Sequence, residues 1–201
     1  MKAANVHQGE KYTIRRKILK LFGASFHVFD ASGEVIAFCK QKAFKLREDI
    51  RIYTDEDMQT ELFSLKARTI MDFSTTYDVT LPGDGGGEAL GSLRRKGMAS
   101  TFVRDSWLVF DADGNEIASI VERGAWLAFA RRMVDLVAII SPQKFDVKRP
   151  GDDAHIATLR QHFNPAVYRL GVTVHEEDPS LDDLMILASA CLIAAIEGRQ
   201  G

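Results

Sequence analysis

The chain has 201 residues, with 26 Lys and Arg against 28 Asp and Glu and a formal net charge of −2. That length is sufficient for one large domain with a core of its own, and the near-neutral balance excludes a global electrostatic pull toward nucleic acid. The two cysteines, Cys39 and Cys191, sit in apolar stretches, which points to small core residues in a reducing compartment rather than to a disulfide framework.

Residues 1–10 are polar and read as a flexible N-terminus. They lack the apolar core and cleavage site of a secretory leader, so the expected location is cytoplasmic, at most peripheral to a membrane. Residues 11–201 read as one domain. Residues 12–18 place Tyr12, Ile14, Arg16 and Ile18 on one side of a strand, and 25–29 with 35–39 flank the turn Asp30-Ala31-Ser32-Gly33 as a hairpin. Residues 49–54 and 60–67 bracket Asp55-Glu56-Asp57, and 74–81 and 88–95 bracket the glycine-rich tip around Gly83 to Gly87. A further hairpin, 105–110 with 116–122, encloses Asp111-Ala112-Asp113-Gly114-Asn115. Trp126, Phe129, Met133, Val137 and Ile140 then recur at helical spacing, which predicts a helix near 124–140 closed by Pro142. Strands resume at 144–148, 155–163 and 168–174, making twelve.

The last segment, 181–197, predicts a helix with Ser180 as N-cap and Asp183 three residues on, as in a capping box. Between Leu184 and Ile196 the only polar side chain is Ser189, so this helix needs surroundings on every face. A membrane crossing takes roughly 20 apolar residues, more than this run offers, so burial within protein is the expectation. Evenly spaced strands followed by an all-apolar helix predict an all-β fold, a closed antiparallel barrel of about twelve strands with that helix threaded through it.

The hairpins FHVFDASGEVIA and WLVFDADGNEIASIVE, the stretch HIATLRQHFNPAVYRLGV and the helix LDDLMILASACLIAAIE resemble the Tubby C-terminal-like fold, and within it the LURP-one-related and phospholipid-scramblase-like proteins. The resemblance covers roughly residues 11 to 198 and implies a twelve-stranded barrel around a hydrophobic C-terminal helix. For function it implies less. Tubby-type members bind phosphoinositide headgroups, scramblase-type members are associated with lipid movement, and LURP-one-related members largely lack an assigned activity. None of the shared stretches is a catalytic signature, and no headgroup-binding motif transfers residue by residue.

Chemistry must therefore be sought in the residues themselves. Asp111 to Glu116 has closely spaced oxygens of the kind calcium prefers, but the flanks are strands rather than helices, and Asp-Gly in a tight turn accounts for them without metal. His155 and His162 differ by an odd number along one strand and are expected on opposite faces. No nucleophile, acid–base pair, metal set or cofactor motif can be assembled, so no enzymatic activity and no cofactor are expected. The remaining candidates are basic: Arg15, Arg16 and Lys17 with Lys20; Lys40, Lys42, Lys45 and Arg47; Arg94, Arg95 and Lys96; and Arg131 and Arg132. These suit an anionic phospholipid headgroup or membrane surface. The expected function is thus a non-enzymatic barrel that binds such a ligand. The alternatives are a scramblase-like protein whose terminal helix inserts in a bilayer, and a protein-interaction domain with no small ligand.

Overall fold

Strict alternation of apolar and polar side chains can be satisfied along every strand at once if one face of a sheet encloses a core and the sheet curls onto itself. The computed structural model describes residues 6–17, 24–41, 49–68, 75–96, 106–123, 143–152, 154–162, 164 and 167–196. It has this arrangement. The strands are β1 (Tyr12–Lys17), β2 (Ala24–Asp30), β3 (Val35–Gln41), β4 (Asp49–Tyr53), β5 (Glu61–Ala67), β6 (Thr76–Leu81), β7 (Glu88–Arg95), β8 (Ser106–Phe110), β9 (Glu116–Glu122), β10 (Lys144–Lys148), β11 (His155–His162) and β12 (Val167–Val174). Each pairs antiparallel with the next, and β1 pairs with β12 from Tyr12 opposite Val172 to Lys17 opposite Val167. Closure leaves no unpaired edge.

The helix α1 (Asp183–Ile196) follows β12. Its residues Met185 through Ala195 are all buried, against Ile14, Phe26, Val28, Ile50, Phe63, Leu65, Leu159 and Leu170 from the inner wall, each 0% exposed. The polar exception, Ser189, donates its hydroxyl to the Met185 carbonyl at 2.7 Å, so it needs nothing from the wall. Cys39 and Cys191 are free thiols in this core. Burial pushes the Cys39 thiol up to about 12 and Cys191 well above its usual value, which keeps both protonated.

The helix begins later than its capping signal suggested. Ser180 donates its backbone N–H and its hydroxyl to Asp178 Oδ1, at 2.9 and 2.6 Å, and so serves a turn before the helix. The N-cap is Asp182, whose Oδ1 accepts from the Leu184 N–H at 2.7 Å while its carbonyl accepts from Met185. Asp183, in the first turn, is held by Lys11 Nζ at 2.6 Å and the Tyr12 hydroxyl at 2.7 Å. At the other end the Arg16 guanidinium donates to the Ala194 carbonyl at 3.4 Å. A cation there complements the negative end of the helix dipole. One strand therefore grips both ends of α1: Tyr12 to Arg16 spans about 14 Å at ~3.4 Å per residue, and Asp183 to Ala194 about 17 Å at ~1.5 Å per residue.

The helix expected over 124–140 lies outside the described residues. The N-terminal segment expected to be loose is packed from His7 to Glu10 against the outside of β11 and β12, as described below.

Leu192→Ala should lower the free energy of unfolding by about 2–5 kcal/mol, and Leu187→Asp should prevent soluble folding. Arg16→Leu should cost about 1–3 kcal/mol because buried carbonyls at the helix end lose a charged donor, whereas exposed Lys40→Leu should stay within about 0.5 kcal/mol. Urea unfolding curves of the purified variants check each value.

Candidate functional site

Because neighbouring strands all run antiparallel, the connections alternate between the two ends of the barrel. The end at which α1 begins collects the turns after β2, β4, β6, β8, β10 and β12. These carry Asp30 and Glu34, Asp55-Glu56-Asp57, Asp84, Asp111 and Asp113, Asp152, and Glu176-Glu177-Asp178. Arg149 stands among them, held by Asp178, Asp152 and Glu176. The hairpin turns use these carboxylates locally. Asp30 Oδ1 accepts from Ser32 N, Ser32 Oγ and Glu34 N, and Asp111 accepts from Asn115 N and Nδ2 at 2.8 and 2.9 Å, with Gly33 and Gly114 at positive φ. The aspartate that would head a calcium loop is thus engaged with its own turn.

The opposite end, around the C-terminus of α1, is basic. Lys40 on β3, Lys66 on β5, Arg94 on β7 and Lys96 beyond it, Lys144 on β10 and Arg160 on β11 lie toward it. Among the described residues, three carboxylates near this end are in ion pairs: Asp49 with Arg51, Asp78 with Arg68, and Asp146 with Arg123. Among the described residues the barrel therefore has an acidic end and a basic end.

The candidate cations fall unevenly on this frame. Arg15 points outward on β1 with its guanidinium 5.7 Å from the centre of the Phe29 ring. Arg16 points inward, 9% exposed, and is engaged with α1 as described, so it does not face solvent with its neighbours. Lys17 is the last residue of β1. Arg94 is exposed and lies over Phe110 at 4.6 Å, in an outer groove of about 530 Å3 beside the Arg68–Asp78 pair. Arg95 is half-buried over Trp107 at 5.8 Å, and Lys96 is exposed. Arg131 and Arg132, with Lys20, Lys42, Lys45 and Arg47, lie outside the described residues. β1 and β7 are six strands apart in a ring of twelve, so Arg15 and Arg94 stand on opposite walls. They share an end but cannot close on one small headgroup.

A second feature had no signal in the sequence. Beside the β9–β12 wall lies a cleft of about 620 Å3 whose lining includes His7, Glu10, Lys144, His155, Arg160, His162 and His175. Both His155 and His162 line it, contrary to the odd spacing that assigns them to opposite faces. The reason is a bulge: Val147 pairs with Ala157 but Lys148 with His155, so one extra residue resets the alternation of β11. One bank of the cleft is the N-terminal segment. Glu10, 6% exposed, accepts from His162 Nε2 at 2.5 Å, Thr13 Oγ1 at 2.6 Å and the His7 backbone at 3.2 Å, while the His7 ring stacks on His162 with centroids 3.9 Å apart.

The carboxylate of Glu10 occupies the space above Gly171, where a Cβ would overlap its oxygens. Glycine is needed there for room. Burial alone would push the Glu10 carboxyl up, but the hydrogen bonds from His162, Thr13 and His7 outweigh it and hold the group below its ordinary value. Burial, then the His162 ring and the Arg169 and Arg160 cations, lower His7 against the opposing pull of Glu10. A neutral His7 accepts from Arg169 Nη1 at 3.3 Å.

Among the described residues no set of His, Cys, Asp and Glu is arranged to hold a metal ion, and no helix is long and apolar enough to cross a membrane. Compared with known proteins, the chain matches a family model described as LURP-one-related over residues 35–194. No curated protein matches it significantly. Among solved structures it is similar to a protein from Arabidopsis thaliana determined by X-ray, with 18% identity over 94% of each chain and a TM-score of 0.48.

Gly171→Ala should displace Glu10 and cost about 1–3 kcal/mol of stability through the loss of hydrogen bonds to a charged group. A carboxyl whose folded pKa is depressed contributes stability above its unfolded value and loses it as pH falls through the folded one. The stability gap between the wild-type chain and Glu10→Gln should accordingly be full at pH 7, begin to close below about 4.5, and vanish at more acidic pH. Urea midpoints at pH 7, 5 and 3.5 check this.

Proposed function

The chain belongs to the LURP-one-related family, and from that premise we propose that it is a non-catalytic barrel whose basic end rests on an anionic phospholipid surface, with the acidic end turned away. The observation that carries this reading is the separation of charge along the barrel axis. Cations at one end come from β1, β3, β5, β7, β10 and β11, all around the ring, while the turns at the other end are acidic. A ring of cations wider than any headgroup suits a plane better than a pocket. Each Lys or Arg brought near such a surface contributes about 1 kcal/mol, and the acidic turns repel the same surface, so orientation follows from charge alone.

The alternative of lipid transport through insertion of α1 carries a cost the surface reading avoids. It would strip the barrel of Met185 through Ala195 and leave the inner wall without packing.

Flotation with vesicles of phosphatidylcholine and phosphatidylserine tests the reading. Binding should require the anionic lipid and fall steeply between about 0.05 and 0.5 M salt. Arg94→Gln with Lys96→Gln should weaken it on the order of tenfold, since two cations are removed. Asp55→Asn with Asp57→Asn, at the far end, should leave it unchanged or stronger. Equal binding to phosphatidylcholine alone, or binding indifferent to salt, would overturn the proposal.

A further inference from the structure

The cleft on the β9–β12 wall contains an arrangement that folding does not explain. Lys144 on β10 and Arg160 on β11 are direct cross-strand partners, and both point outward. Like charges placed directly opposite in an antiparallel pair are destabilising. Elsewhere on this barrel cations near carboxylates are neutralised, as with Arg51, Arg68, Arg123 and Arg149. Lys144 and Arg160 have no ion pair among the described residues. The nearby carboxylates are engaged elsewhere, Glu10 with His162 and Thr13, and Asp146 through Oδ2 with Arg123, while its buried Oδ1 has no hydrogen bond and only His155 Nδ1 at 3.5 Å. Two facing cations in a concavity, with the anions beside them already engaged, form a site that lacks its counter-charge.

From this juxtaposition we propose that the cleft binds a phosphate monoester of a hydroxylated small molecule, a sugar or polyol phosphate, with Lys144 and Arg160 as its phosphate ligands. A phosphoryl group presents three oxygens and up to two charges, which matches one ammonium and one guanidinium approaching from adjacent strands better than a single carboxylate does. The remainder of the ligand follows from the lining. The volume of about 620 Å3 is many times that of a phosphate ion, so the cleft has room for a larger molecule. Among the described residues its walls are imidazoles, hydroxyls and amide or charged groups, with no aliphatic or benzenoid side chain. Such a surface offers hydrogen bonds to hydroxyls, through Gln8, Thr158, Thr173 and His175, and nothing to an acyl chain. The pairing of Thr158 Oγ1 with His175 Nε2 at 2.9 Å and of Glu10 with His162 holds these side chains in place before any ligand arrives.

This inference rests on the cross-strand pair and the lining; Lys144 and Arg160 also belong to the basic end, but the flotation variants Arg94→Gln and Lys96→Gln lie at β7, outside the cleft, so the two readings fail separately. The five histidines supply the readout, because four line the cleft and His27, on β2 beside Glu56, does not. Titration of the labelled full chain with glucose 6-phosphate at constant ionic strength should shift the imidazole resonances of His7, His155, His162 and His175 and leave His27 in place. Inorganic phosphate should bind more weakly than the ester. Lys144→Gln and Arg160→Gln should each weaken the ester about tenfold without lowering the thermal midpoint, since each removes a like-charge contact.

Vesicles of phosphatidylcholine containing phosphatidylinositol 4-phosphate, added as competitor, separate the two sources of the same chemistry: displacement assigns the phosphate to a headgroup, and no displacement to a free ester. Absence of imidazole shifts with glucose 6-phosphate or inorganic phosphate at millimolar concentration, or shifts unchanged in both variants, would overturn the site. Vesicle flotation could then still succeed or fail on its own.

Discussion

A helix with no polar face has to be enclosed completely, and its two polar ends have to be satisfied within the same enclosure. That constraint governs the rest of the molecule. Twelve strands supply the apolar lining, and β1 with the residue before it supplies the end groups, Lys11 and Tyr12 on Asp183 and Arg16 on the Ala194 carbonyl. Since the helix fills the interior, a ligand has the outer wall or the ends of the barrel available to it. The inward strand positions are committed to packing and only the outward ones remain for recognition.

The division of charge has the same origin. A meandering barrel alternates its connections between ends, and tight hairpins favour Asp, Asn and Gly for reasons of backbone geometry. Asp30 and Asp111 are turn residues first, each accepting backbone N–H groups from the loop it starts. Because such turns recur at one end, local geometry adds up to an acidic pole. The cations then become informative by position, since Lys40, Lys66, Arg94, Lys144 and Arg160 lie on strands rather than in turns.

Much of the architecture was legible because it rests on period and on turns. All twelve strands and the central helix can be read from alternation, from Asp-Gly turns and from the uninterrupted apolar run after Leu184. The alternation even carried a signal against Arg16 as a ligand residue, since it shares a face with Ile14, which is fully buried. What could not be read has a physical reason in each case. Ser180 and Asp182 are both good N-caps, and the choice between them was made by Asp178, which captures Ser180 first. The cleft depends on a one-residue bulge in β11, on the missing side chain of Gly171, and on β10–β11 register. Register across strands is a tertiary fact, so nothing in the one-dimensional string places Lys144 opposite Arg160.

The pairing of β1 with β12 has a consequence for the order in which the chain is made. During synthesis β1 emerges first, yet its second partner and the helix it grips arrive some 160 residues later. At about 5–20 residues per second the open sheet waits on the order of ten seconds or more with its apolar inner face uncovered and two edges unpaired. Contacts of such long range also fold slowly once the chain is complete. A nascent chain of this kind is a demanding client for the chaperones at the ribosome exit.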